Sequence, residues 1–275
     1  MQVPILTYHG VNIAGNDYAG NDHVAFAADL ELIHALGLRI VPAQWVVDQL
    51  LGRVQRDLRR CVALTCDDGS NFDYDDLDHP EHGRQLSFYN ALRQFRERHG
   101  ERAQPDLHLT AFVIADPFAR ERMDRQCLVG RDWMQSRWWR AARDSGLLAI
   151  ENHSWDHNHP CLASPGPHGL VRGDFHAVAS EAQAEFEIAR SQQFLATQLA
   201  PHQPRLFCYP FGHVNDFLSR DWLPRHGTAA GLDAAFGDGA APATPQSYRW
   251  NIPRYICGWH WRSPDGLGEI LAAAT

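Results

Sequence analysis

Two short runs carry the residue types that metal-assisted hydrolysis needs: Thr65-Cys66-Asp67-Asp68-Gly69 and, about 85 residues later, His153-Ser154-Trp155-Asp156-His157. Two histidines and one carboxylate would give a divalent cation such as zinc three protein ligands. That number leaves a position for water, which is the arrangement of a catalytic rather than a structural site. The other carboxylate of the Asp67-Asp68 pair is then free to take a proton from that water. His153 and His157 are four apart, so one helical turn, or an irregular turn, lets both rings share an ion. Each run also has a plainer reading. A lone H-x-x-x-H is commonly two surface histidines, and Asp-Asp-Gly is commonly a turn whose carboxylates bond the backbone. Adjacent carboxylates in a cleft of low dielectric repel each other unless a positive charge intervenes, and a metal would supply one.

The elements that must position these residues read as alternating strands and helices. Ile5 to Tyr8, Leu38 to Val41, Cys61 to Cys66, Leu109 to Ile114, Leu147 to Glu151 and Arg205 to Tyr209 have strand length and apolar character. Helical patterns occupy about 24–36, 43–51, 86–98, 133–145, 178–199 and 216–227. Such alternation predicts an α/β fold built on a mainly parallel sheet, and the chain reads as one domain over 1–275. Three motifs then fall at the C-terminal ends of three strands, the end where parallel barrels place chemistry. The segment Ser70 to Gln85, with Asp73, Asp75, Asp76 and Asp78, reads as a loop too acidic to enter the core.

A net charge of −8 argues against a nucleic-acid partner. No run approaches the length of apolar residues that spans a membrane, and Met1 to His9 lacks the basic head and apolar segment of a leader. The sequence therefore reads as soluble and cytoplasmic, or as a secreted protein with its leader removed. The six cysteines show no C-x-x-C spacing and are most simply buried thiols.

Taken together, the motifs resemble the polysaccharide deacetylases, carbohydrate esterase family 4, with its NodB-like domain. Leu64 to Gly69 is similar to the family's T-F-D-D-G, Glu151 to His157 to its H-[ST]-x-x-H, and Phe207 to Gly212 to its F-x-Y-P-Y-G. The resemblance implies a distorted (β/α) barrel of about seven strands and a metal-dependent hydrolase that removes N-acetyl groups from an amino sugar or a glycan containing N-acetylglucosamine. It makes Asp67 the general base and Asp68, His153 and His157 the ligands of a divalent ion, Zn2+ foremost, with Co2+, Ni2+ or Mn2+ as alternatives. The backbone near Phe211 would help hold an oxyanion, and Tyr209, Pro210, Phe211, Trp155 and Arg254 would contact substrate. The start, Pro4 to Val11, resembles a permuted branch that includes biofilm poly-N-acetylglucosamine deacetylases, in which an early Y-H supplies the acid. His9 is assigned that role, and His260 competes for it.

The sequence departs from the pattern in places. Cys66 stands where the family has an aromatic residue. Cys208 stands where many relatives place an arginine that orients the base, a role Arg254 could fill. Two other readings stay open: a metal-dependent amidase acting on a small acylated molecule (a cyclic imide, a ureide or an antibiotic-like amide), and a catalytically silent glycan-binding module. The oligomeric state is not legible.

Overall fold

The computed structural model describes residues 1–273. Among the described residues, ten strands are interspersed with helices in chain order. The first half holds β1 (Ile5–His9), α1 (Asp22–Ala35), β2 (Arg39–Val41), α2 (Ala43–Leu50), β3 (Cys61–Asp67), β4 (Leu77–His79), β5 (Gly83–Gln85), α3 (Phe88–His99) and β6 (Leu109–Val113). There follow α4 (Pro117–Cys127), α5 (Trp139–Asp144) and β7 (Leu148–Asn152). A continuous helical segment comes next, α6 (Glu181–Ala184) running through a π turn (Glu185–Ala189) into α7 (Arg190–Leu199). The chain continues with β8 (Leu206–Cys208), a wide helix (Phe217–Gly227), β9 (Ala234–Phe236), β10 (Tyr255–Ile256) and α8 (Pro264–Ala273).

Seven strands line up in the order β10-β1-β3-β6-β7-β8-β9, and β2 pairs with the first half of β3. Every pairing along this path is parallel. Phe236 of β9 also makes a parallel bridge to Ile252, in the segment that leads into β10, so the sheet curls into the distorted barrel that the resemblance implied. β4 and β5 form a separate small hairpin.

Strand alternation decides which side chains enter the barrel. On β3, Val62, Leu64 and Cys66 join the cluster packed under the helices, whereas Cys61 and Ala63 join an inner cluster with Ile5, Phe112, Leu206, Cys208 and Phe236. Thr65 and Asp67 continue the inner row. Thr65 lies opposite Thr7 of β1, with the two hydroxyl oxygens 2.9 Å apart. Cys66 faces the helices, so the departure from the family's aromatic residue alters that outer packing and not the inner row.

Several expected elements change. The helix expected over 133–145 is confined to Trp139–Asp144, because Asp124 accepts the N–H groups of Asp132 and Trp133, and Asn71 accepts that of Gln135. The acidic loop is not wholly outside the core: Ser70, Asn71, Phe72 and Asp73 are buried. Burial first, then the nearby charge of Asp68, pushes the Asp73 carboxyl well above the usual range. The cysteines are not uniformly buried, since Cys127 is exposed and Cys161 half-buried. Among the described residues no helix is long and apolar enough to cross a membrane.

Candidate active site

Three turns at strand ends hold the motif side chains in positive-φ backbone conformations. Asp68 and Gly69 follow β3 with φ of 74° and 75°. A Cβ on Gly69 would sit 2.6 Å from the Val113 side chain, so only glycine lets β3 and β6 approach here. After β7, Ser154, His157 and Asn158 also take positive φ, and after β8 so do Phe211 and Gly212. The HSWDH segment is thus an irregular turn, not a helix. Its shape is fixed by side chains: Asn152 accepts from the Ser154 N–H at 2.9 Å, Ser154 Oγ from the His157 N–H at 2.9 Å, and Asp156 from the Asn158 N–H at 2.9 Å. Arg172 in turn clamps both oxygens of Asp156, at 2.9 and 2.8 Å.

These turns bring Asp68, His153 and His157 together. Nε2 of each histidine lies 3.6 Å from the same Asp68 Oδ1. His153 Nδ1 donates to the Cys208 carbonyl at 3.0 Å, which fixes the tautomer and leaves Nε2 with its lone pair. Burial holds both rings well towards the neutral form; at His157 the neighbouring His153 adds to it. Two neutral imidazoles and a carboxylate oxygen converging this closely are a donor set that fits a divalent cation.

Asp67 stands beside them on the inner row. Burial alone would raise its pKa, but Arg254 outweighs it and holds the carboxyl below the usual range. The guanidinium grips Asp67 through two bonds of 2.8 Å each, Nη1 to Oδ1 and Nη2 to Oδ2. Arg254 also donates to Cys208 Sγ at 2.8 Å and to the Gly237 carbonyl at 3.0 Å. The arginine absent from position 208 is therefore supplied from the opposite end of the sheet path, just before β10.

A cavity of about 650 Å3 opens over these groups. His9 lines it together with Asp67, Asp68, His153, His157, Phe211 and Arg254. His9 pairs in register with Asp67 across β1 and β3, and its N–H is held by Asp22 Oδ2 at 2.7 Å. His260 does not line the cavity; its Nδ1 accepts the Ile256 N–H at 2.7 Å and closes a turn. Trp155 is turned away, buried with Arg190 3.9 Å over its ring and Phe194 at its edge. Tyr209 and Pro210 are also buried, and the Tyr209 hydroxyl donates to the Trp250 carbonyl at 2.8 Å. The motif aromatics therefore split: Phe211 reaches the cavity, while Trp155 and Tyr209 brace the turns beneath it.

Part of the cavity lining is apolar and was not anticipated from the sequence. Met123, Cys127, Leu128 and Met134 come from α4 and the segment after it, and Trp259 from the turn after β10. Helix α4 did have a legible start, because Asp116 caps the N–H of Phe118 and Pro117 occupies the first turn.

Residues 103–227 match the family model described as polysaccharide deacetylase. That segment is similar to the polysaccharide deacetylases. It contains His153, His157 and the Phe207 to Gly212 turn, while Asp67, Asp68, His9 and Arg254 lie outside it and join the deacetylase segment through the barrel. No curated protein matches the chain. Among solved structures, the deacetylase PplD of Streptococcus pyogenes, in complex with acetate, superposes with a TM-score of 0.65 at 16% identity, covering 98% of each chain. IcaB from Ammonifex degensii gives 0.63 at 20% identity, covering 99% of this chain and 97% of that one. The BpsB deacetylase domain from Bordetella bronchiseptica gives 0.62 at 18% identity, covering 93% and 96%. These likenesses extend the shared fold over nearly the whole chain.

Proposed function

We propose that the protein is a metal-dependent carbohydrate N-deacetylase that releases acetate from N-acetylated amino sugars. The observation that carries this reading is the buried Asp67–Arg254 pair standing next to the converging Asp68, His153 and His157 in one cavity. Asp68, His153 and His157 would hold a divalent cation, which when bound lowers the pKa of water and polarises an acyl carbonyl. Asp67 is the proton acceptor: Arg254 keeps it ionised and fixes both oxygens, so a proton arriving there meets a preset geometry. His9, on the adjacent strand, gives a proton to the departing amine nitrogen. The Phe211 backbone N–H supports the developing oxyanion. The amide C–N bond breaks, the acyl group leaves as acetate, and the sugar keeps a free amine. The family match and the acetate-bound relative both support this reaction class.

The test is acetate release from N-acetylglucosamine oligomers by metal-loaded protein, before and after chelation. Chelator-sensitive release is expected. No release from any N-acetylated saccharide, with release from small apolar amides instead, would replace this reading by the small-molecule amidase to which the apolar wall is also suited.

A further inference from the structure

Beside the proposed deacetylase centre lies a second set of soft donors that shares no residue with it. Cys127 is the last residue of α4, and His159 and Cys161 follow the HSWDH turn; one ligand atom from each lies within 4.8 Å of the other two. Cys127 and His159 line the same cavity as the first centre, and the His157 and His159 rings are 5.9 Å apart. Neither thiol is in a disulfide.

The loop that carries two of the donors is already shaped for this. Arg122, on α4, donates to the Cys161 carbonyl at 2.8 Å, and the Leu162 N–H bonds the His159 carbonyl at 3.1 Å. The His159 Nδ1 accepts the Cys161 N–H at 3.2 Å. We propose that Cys127, His159 and Cys161 form a second, independent metal site for a borderline-soft divalent ion of the zinc class. Two thiolates and a neutral imidazole are the donors such an ion prefers over hard oxygen seekers, and three protein ligands leave one position facing the cavity. Binding releases two thiol protons to solvent and leaves the cluster electrically neutral. The bound ion would tie the end of α4 to the loop that continues from His153 and His157.

Cobalt and zinc loading of the reduced full chain tests this without any assay of activity. Cobalt is expected to give the near-ultraviolet charge-transfer band of a thiolate ligand, which an Asp-His-His centre lacks. The band is expected to persist in Asp68→Asn and to vanish in the Cys127→Ser/Cys161→Ser double variant. Zinc is expected to protect both cysteines of the unaltered protein from alkylation, read by peptide mass, and the Asp68→Asn protein should show the same protection. A band that survives the double serine substitution would point to Cys208 instead and overturn the proposal, as would alkylation of Cys127 and Cys161 at the same rate with and without zinc.

Discussion

At the scale of single residues, the site divides into groups that touch the cavity and groups that hold those in place. Asp67 belongs to the first, and Asp67→Asn keeps the shape and one of the two contacts to Arg254 while removing the proton acceptor. Turnover is expected to fall about a thousandfold with the cation content unchanged, measured by acetate release and elemental analysis; near-normal turnover would mean another base. The two candidate acids are separated by the same assay. His9→Gln is expected to lose about a hundredfold in kcat, whereas His260→Gln, in a ring already spent on capping a turn, is expected to stay close to the unaltered protein. The sequence showed Asp67, Asp68, His153 and His157 because the types and spacings are themselves unusual. It could not separate Trp155 from Phe211: both are aromatics in motif turns, and only the backbone conformation at each turn decides which ring goes inward.

At the scale of elements, the strand ends are where cost and function meet. Left-handed backbone at Asp68, Ser154, His157 and Phe211 carries strain of about 1–3 kcal/mol each, offset by the side-chain bonds that lock the turns. Gly69 is the sharpest case, because its φ and its contact with Val113 both exclude a Cβ. Gly69→Ala is expected to cost at least about 1–3 kcal/mol of stability by urea unfolding and to weaken cation binding by displacing Asp68. Unaltered cation affinity would show that the turn can move without the ligand. The strands that end in these turns were legible because each is a continuous apolar run. β9 and β10, of three and two residues, are too short to leave a periodic signal. The missed α4 had a cap but little apolar periodicity, since much of its surface is solvated and its inward side chains are mixed.

At the scale of the whole molecule, the curled path of parallel strands makes distant residues neighbours: Arg254 and Asp67 are 187 positions apart yet form one ion pair. No local pattern announces such a pair. Burial on this scale also sets a pH response away from the site. His108, whose Nδ1 is buried without a partner, has its pKa pushed by burial from 6.5 down to about 4. The unfolded chain then takes up this proton first as the solution acidifies. Stability contributed by the neutral ring is complete above the unfolded value of 6.5 and is lost as pH falls through the folded value. His108→Leu is expected to flatten the loss of stability between neutral pH and pH of about 4, measured by denaturant midpoints; an unchanged slope would place the titration elsewhere. The alternation on β3 reaches further still. Ala63, Thr65 and Asp67 face inward only because the count of residues along the strand is what it is. Deleting or inserting a single residue within β3 would present Cys66 to the cavity and turn Asp67 towards the helices, whereas surface loops can change length with the inner row left intact. Descent with modification in this protein is therefore free in the lengths of its connections and held to even steps inside its strands.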